Sequence, residues 1–295
     1  MATSTLDHIV HLTPPGTVRE TAEQWRKLGF KYVFLAITTN SFLERRYSVI
    51  DGGVHTDGFT ANALVIIDDH TYLELLSFTK PASSYPPDSP RHAHKWAKRA
   101  PGWIDYAFLG NGALHGARRI SESINARWGH EGRLYASEVP GGRMREDGVR
   151  LEWVISAPKR GDGMVPFFCG DVTDRGLRVP TRPEGNTTHP SGARGVAFIR
   201  IVVSSQELPL LVEQLTAILD APPFAHGPNL AQWHLSTLNG LRSPTLSIAV
   251  PGDELEEQFL QDNAVPGIYE VGFWVGESGK TGSVSSPFGR IVWVE

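Results

Sequence analysis

The 295-residue chain holds a single cysteine, Cys169, so no disulfide can close within it. A chain without disulfides suits a reducing compartment. No stretch approaches the ~18 consecutive apolar residues of a membrane helix. The start, Met1-Ala2-Thr3-Ser4-Thr5, lacks a basic segment followed by an apolar one, so no secretory signal is expected. These absences predict a cytoplasmic protein. Excess charge is lacking too: 28 Lys and Arg against 32 Asp and Glu give a net charge of −4, no footprint for nucleic acid or an anionic membrane. There is no Gly-x-Ser-x-Gly nucleophile motif and no phosphate loop; Gly110-Asn111-Gly112 is too short for a nucleotide fingerprint. What remains is an ordinary globular composition, long enough for two small domains or one large one, with a small molecule as the expected partner.

Two early segments depart from plain alternation. In 6–12 the residues Leu6, His8, Val10 and Leu12 share a strand face; in 71–78 the shared face is Tyr72, Glu74, Leu76 and Phe78. A buried imidazole and a buried carboxylate on apolar faces are costly unless something satisfies them, and one shared divalent metal would satisfy both.

The chain reads as repeated βαβββ passes. The first has a strand at 6–12, a helix carrying Val18, Ala22, Trp25 and Leu28 that stops at Gly29, and strands at 31–38, 62–68 and 71–78, the last two a hairpin turned at Asp68-Asp69-His70. Thr17 and Glu20 form the expected capping box. The proline-rich stretch 80–91 is a linker or lid. The second pass has strands at 103–109, 151–157 and 165–172, a helix at 117–128 and a hairpin loop at 141–148. After a polar, proline-rich boundary at 175–191, a third pass has strands at 195–203, 232–238, 245–250 and 268–275, a helix at 206–219 and an edge strand at 290–294. Laid on the first pass, it puts Phe198 on His8 and Glu270 on Glu74. The fold class is α+β, with paired modules in residues 1–180 and a third module in 190–295; that third module either packs on the other two or mediates a homodimer.

Short pieces in order carry a family resemblance: Leu6-Asp7-His8-Ile9-Val10, Gly52-Gly53-Val54-His55, Thr60-Ala61-Asn62-Ala63-Leu64, Tyr72-Leu73-Glu74-Leu75, Gly102-Trp103, Arg145-Glu146-Asp147-Gly148, Pro166-Phe167-Phe168 and His189-Pro190-Ser191-Gly192. Over roughly residues 6 to 192 the chain resembles the vicinal oxygen chelate superfamily (glyoxalase, bleomycin-resistance and dioxygenase proteins), and within it the glyoxalase-like domain family. The resemblance implies half-barrel modules facing across a cleft, with a divalent metal held from the first and fourth strands of each. His8 and Glu74 match those positions in the first module. The second module departs from the pattern: its strands offer Asp105 and Asp171 only with a one-residue register shift.

His55, in a glycine-rich loop, is the candidate third metal ligand beside His8 and Glu74; two His and one carboxylate suit Zn, Fe, Mn, Ni or Co. Glu74 and His8 are the catalytic candidates. Tyr72, Trp103, Tyr106, Trp153, Phe167 and Phe42 are expected to wall the cleft, with Arg145, Arg143 and Arg150 available to a carboxylate or phenolate. His92, His94, His115 and His130 read as solvated, His189 as a cap on the second module's cleft, and Cys169 as a buried inert thiol. The function implied is a metal-dependent lyase or isomerase acting on a small aromatic or hydrophobic oxygenated substrate. The alternatives are an iron-dependent ring-cleaving dioxygenase, a metal-free enzyme using Glu74 as base, and a metal-free binding protein.

Overall fold

The computed structural model describes residues 3–32, 54–55, 57–144, 148–160, 163–240, 242–263, 266–276, 281–286 and 289–295. The expected strand at 31–38 lies almost wholly outside these residues, as do Phe42, Gly52, Gly53 and Arg145.

The first half comprises β1 (Leu6–Thr13), α1 (Val18–Lys27), β2 (Thr60–Ile66), β3 (Tyr72–Phe78), β4 (Gly102–Leu109), α2 (Ile120–Arg127), β5 (Val139–Met144), β6 (Arg150–Ser156), β7 (Phe167–Asp171) and a single turn, α3 (Arg175–Arg178). Its strands form a seven-stranded sheet in the order β2-β3-β1-β4-β7-β6-β5. β1 runs parallel to β3 and antiparallel to β4, which runs parallel to β7. Two modules thus meet at β1 and β4 and curl into half-barrels.

The second half comprises β8 (Ala193–Val202), α4 (Leu208–Leu219), β9 (Ala225–Gly227), β10 (Leu230–His234), β11 (Thr245–Ala249), α5 (Glu254–Asp262), β12 (Gly267–Val275), β13 (Gly282–Ser286) and β14 (Gly289–Val294). Its sheet order, β13-β14-β12-β8-β11-β10-β9, repeats the scheme of the first: β8 is parallel to β11 and antiparallel to β12, which is parallel to β14. The third pass expected from sequence is therefore a second pair. β12 opens its own module, so Glu270 does not correspond to Glu74. The strand parallel to β8 is β11, and there Ser247 faces Arg200. Glu270 accepts instead from Arg290 Nε, at 2.8 Å.

One apolar core joins the outer faces of both sheets with α1, α2 and α4, through Ile9, Trp25, Leu73, Phe108, Ile199, Leu215, Phe273 and Trp293. A second cluster of Val10, Leu12, Leu76, Phe78, Trp96, Ile104, Ala107 and Phe167 lies on the opposite, cleft face of the first sheet. The expected alternation holds for His8, Val10 and Leu12. Leu6 instead joins the main core, because the β1–β4 register shifts between Leu6 and His8. The capping box does not form: the Thr17 hydroxyl donates to the Pro14 carbonyl (2.7 Å) and caps no helical N–H. The helix still ends as expected, with Gly29 at φ +91°. Residues 141–144 of the hairpin loop expected at 141–148 belong to strand β5.

Candidate functional site

Parallel pairing of β1 with β3 sets His8 beside Tyr72 and Val10 beside Glu74, so His8, Tyr72 and Glu74 project from one face. The His8 ring stacks on Tyr72 (4.6 Å between centroids) and meets Phe167 edge-on at 5.2 Å. Its Nε2 lies 3.9 Å from Glu74 Oε2, and His55 Nε2 lies 3.6 Å from Glu74 Oε1. The sequence candidates His8, Glu74 and His55 therefore converge on one carboxylate.

Each imidazole is oriented by its other nitrogen. His8 Nδ1 bonds Asp7 Oδ2 at 2.7 Å; a carboxylate only accepts, so Nδ1 carries a proton and Nε2 is the nitrogen that faces the cleft. Asp7 is fully buried. Burial alone would raise its pKa, but Arg178, the His8 hydrogen bond and Arg175 together hold it well below the usual carboxylate range. Arg178 donates to Asp7 Oδ2 (3.1 Å), to Tyr72 Oη (2.7 Å) and, through Nε, to Asp171 Oδ1 (2.6 Å); Arg175 also bonds Asp7. Two arginines and two aspartates thus brace the back of His8. Sequence reading placed Arg175 and Arg178 in a polar boundary and missed them. It also offered Asp171 as a ligand, whereas these arginines engage it.

Asn62 was missed as well. β2 lies antiparallel to β3, with Leu64 opposite Glu74, and brings Asn62 onto the cleft face. Its Nδ2 donates to Glu74 Oε1 at 2.6 Å and to His55 Nε2 at 3.2 Å. Arg143 Nη1 donates to Asn62 Oδ1 at 3.3 Å. His55 Nε2 accepts, so its Nδ1 donates to Thr60 Oγ1 (2.6 Å). Burial pushes the His55 pKa down, so it is a neutral imidazole at physiological pH.

The donor types suit a divalent metal, but their arrangement does not. His8 and His55 face different oxygens of Glu74, and the NH₂ group of Asn62, which offers protons and no lone pair, lies between His55 and Oε1. Among the described residues no three His, Cys, Asp or Glu side chains are placed to hold a metal ion. The residues as arranged do not fit the metal that the fold suggests.

The cleft above Glu74 has a volume of about 360 Å³ and is walled by Leu64, Tyr72, Trp96, Trp153, Ile155 and Phe167. Three of the expected wall residues, Tyr72, Trp153 and Phe167, are in place. Trp103 and Tyr106 are not: a register shift in β4 turns both into the main core, where Trp103 Nε1 donates to the Arg290 carbonyl (3.0 Å) and Tyr106 Oη to Met164 O (3.1 Å). Arg145 lies outside the described residues, Arg143 lines the cleft, and Arg150 is exposed beside Glu152. Cys169 is buried at the cleft floor, its thiol pushed up to about 12 by burial, as an inert thiol should be.

The second module's half of the cleft is filled from within. Trp96 Nε1 (3.0 Å) and Lys95 Nζ (3.3 Å) both donate to Asp105 Oδ2, so Asp105 is engaged and is no metal ligand. Lys95 Nζ lies 3.9 Å from the Phe167 ring centroid. His94 is not solvated as expected: it lines the cleft, and burial brings its pKa down to about 4. His189 caps no cleft. It accepts from Lys31 N (3.0 Å), bonds Ile66 O (2.9 Å) and packs on Phe30 behind the sheet. His115 and His130 are exposed, as expected.

Paired half-barrel modules with a buried His–Glu cleft at their junction define a protein of the vicinal oxygen chelate class. The glyoxalase-like domain matches over residues 6–219, and the chain belongs to that family. Its fold is similar to that of a hypothetical protein from Staphylococcus aureus (TM-score 0.63, 11% identity, 98% of each chain covered). Two looser likenesses are a mutant 4-hydroxymandelate synthase from Streptomyces coelicolor (TM-score 0.47, 13% identity, 93% of this chain and 72% of that one) and methylmalonyl-CoA epimerase from Mycobacterium tuberculosis (TM-score 0.33, 15% identity, 60% and 93%). A search of curated protein sequences finds no significant match.

Proposed function

We propose that this protein is an enzyme of the lyase or isomerase type that binds a small aromatic or hydrophobic carbonyl compound in the cleft, and that Glu74 takes a proton from the carbon next to the carbonyl. The observation that carries this reading is a carboxylate, only 7% exposed, held by a hydrogen bond from Asn62 and opening on a mostly apolar cleft of substrate size. The C–H electron pair would pass to the carbonyl oxygen, giving an enolate, and return when Glu74 gives the proton back. Lys95 and Arg143 line the same cleft and supply cationic N–H donors for that oxygen. His8, locked by Asp7 with its Nε2 facing the cleft, accepts a hydrogen bond from a substrate hydroxyl. The metal-dependent and ring-cleaving readings share this cleft but require the Asn62 amide to leave its place.

The test is solvent exchange. A panel of aryl-substituted carbonyl compounds is incubated in D₂O with wild type and Glu74→Gln. Wild type washes deuterium into one of them, and the variant does so roughly 10²–10⁴-fold more slowly. A compound that raises the melting temperature of both proteins alike, with no exchange by either, would instead identify a binding protein, for which the aromatic walls are also suited.

A further inference from the structure

The Asn62 amide stands where a cation shared by His55 and Glu74 would stand. Its two N–H bonds reach His55 Nε2 at 3.2 Å and Glu74 Oε1 at 2.6 Å, the two lone-pair donors a metal would use. Nor can the amide turn over: Oδ1 would then face the Glu74 carboxylate, and Nδ2 would face the Arg143 guanidinium that now donates to Oδ1 at 3.3 Å. Asn62 and Glu74 are both more than nine-tenths buried, on adjacent strands of one hairpin, so neither can swing aside without leaving buried polar atoms unsatisfied.

We infer that Asn62 is a built-in substitute for a metal: it bridges His55 and Glu74 through N–H donors, keeps the carboxylate available to a proton and excludes a divalent cation from the cleft. The same hairpin position carrying a carboxylate in place of the amide converts the set to His8, His55, Glu74 and a fourth donor, which suits a cation. The inference rests on the same cleft as the proposed function, but its test reads metal and not turnover, so either can fail alone.

Untagged full-length wild type, Asn62→Asp, Asn62→Ala and Asn62→Asp/His55→Ala are stripped with a chelator, dialysed against zinc and analysed for metal content, with zinc affinity measured by calorimetry. Wild type is expected to retain no stoichiometric zinc. Asn62→Asp is expected to retain about one equivalent and to bind at least about tenfold tighter than wild type, a gain lost with His55→Ala. Should Asn62→Asp not fold, Asn62→Ala, which removes the bridging donor without adding charge, is expected to show a smaller gain over wild type. One equivalent of zinc in wild type, no gain in either single variant, or a gain that survives His55→Ala would each overturn the inference.

Discussion

At the scale of single residues, the site is organised by a buried charge network at the back of His8. Asp7 fixes the tautomer of His8, and Arg178 and Arg175 make its ionised state tolerable in a fully buried place. Replacing Asp7 by Asn removes a buried charge from between two arginines, and loss of one partner from such a network typically costs ~3–5 kcal/mol. Urea unfolding of Asp7→Asn at pH 7 should show a loss of that order, with Arg178→Gln similarly affected. Because the Asp7 pKa is depressed in the fold, its contribution is present above pH 3.8 and is lost only in strong acid. His8 and Glu74 were legible in the sequence because each interrupts an apolar alternation. Asp7 was not, since strict alternation sends a neighbour of His8 to the other face, and only the local register shift undoes this. Asn62 was within reach: a hairpin turned at Asp68-Asp69-His70 sets Leu64 opposite Glu74, and Asn62 shares Leu64's face.

At the scale of elements, the segment between β3 and β4 does more than link them. Its 3₁₀ turn at Pro90–Ala93 delivers Trp96 and Lys95 onto Asp105, filling the half of the cleft that lacks metal-type residues. Trp96→Phe preserves the ring packing but deletes the indole N–H, leaving Asp105 one donor short; a stability loss of about 1–3 kcal/mol is expected in chemical denaturation. The proline-rich sequence of 80–91 announced a linker or lid, but nothing in it announced which side chains would reach inward. Helix α5 was absent from the sequence expectation although its signals were present: Asp253 accepts from Glu256 N at 2.9 Å as N-cap, and three glutamates occupy the first turn. A short apolar stripe hid it. Arg200 donates to both carboxylate oxygens of Glu256 (2.5 and 3.0 Å), which ties the helix to β8 of the second sheet.

At the scale of the whole molecule, two sheets with the same central strand pairing are stitched by buried polar residues. Asp69, on the β2–β3 turn, accepts from Val196 N in β8 at 2.8 Å, and His189 ties the connecting segment to β2 and to Lys31. These two titrate in the same window with opposite sign. Burial lowers the His189 pKa from 6.5 to about 4, so its stabilising neutral form is retained above pH 6.5 and its contribution is lost as pH falls toward 4. Burial raises the Asp69 pKa from 3.8 to about 6, so its contribution is fully present below pH 3.8 and is lost as pH rises through 6. The two partly cancel in wild type, so the difference between wild type and His189→Gln isolates the histidine. That stability difference should grow by about 3 kcal/mol from pH 4 to pH 7 in urea titrations. No helix among the described residues is long and apolar enough to cross a membrane.

In the first half, β1 and β3 are legible in the sequence because each carries an apolar alternate face interrupted by one polar residue, whereas β5, rich in glycine, reads as a loop. The pairing of the second half is not legible there, because β13 is short and polar and β12 reads in sequence as the end of a module and not the start of one. The central claim is that Glu74 moves a proton in a cleft whose bridging position belongs to Asn62. The decisive measurement is deuterium wash-in by chelator-stripped wild type: exchange is expected at the same rate before and after stripping, and to be abolished by Glu74→Gln. Exchange that disappears on stripping and returns with an added divalent ion would contradict it.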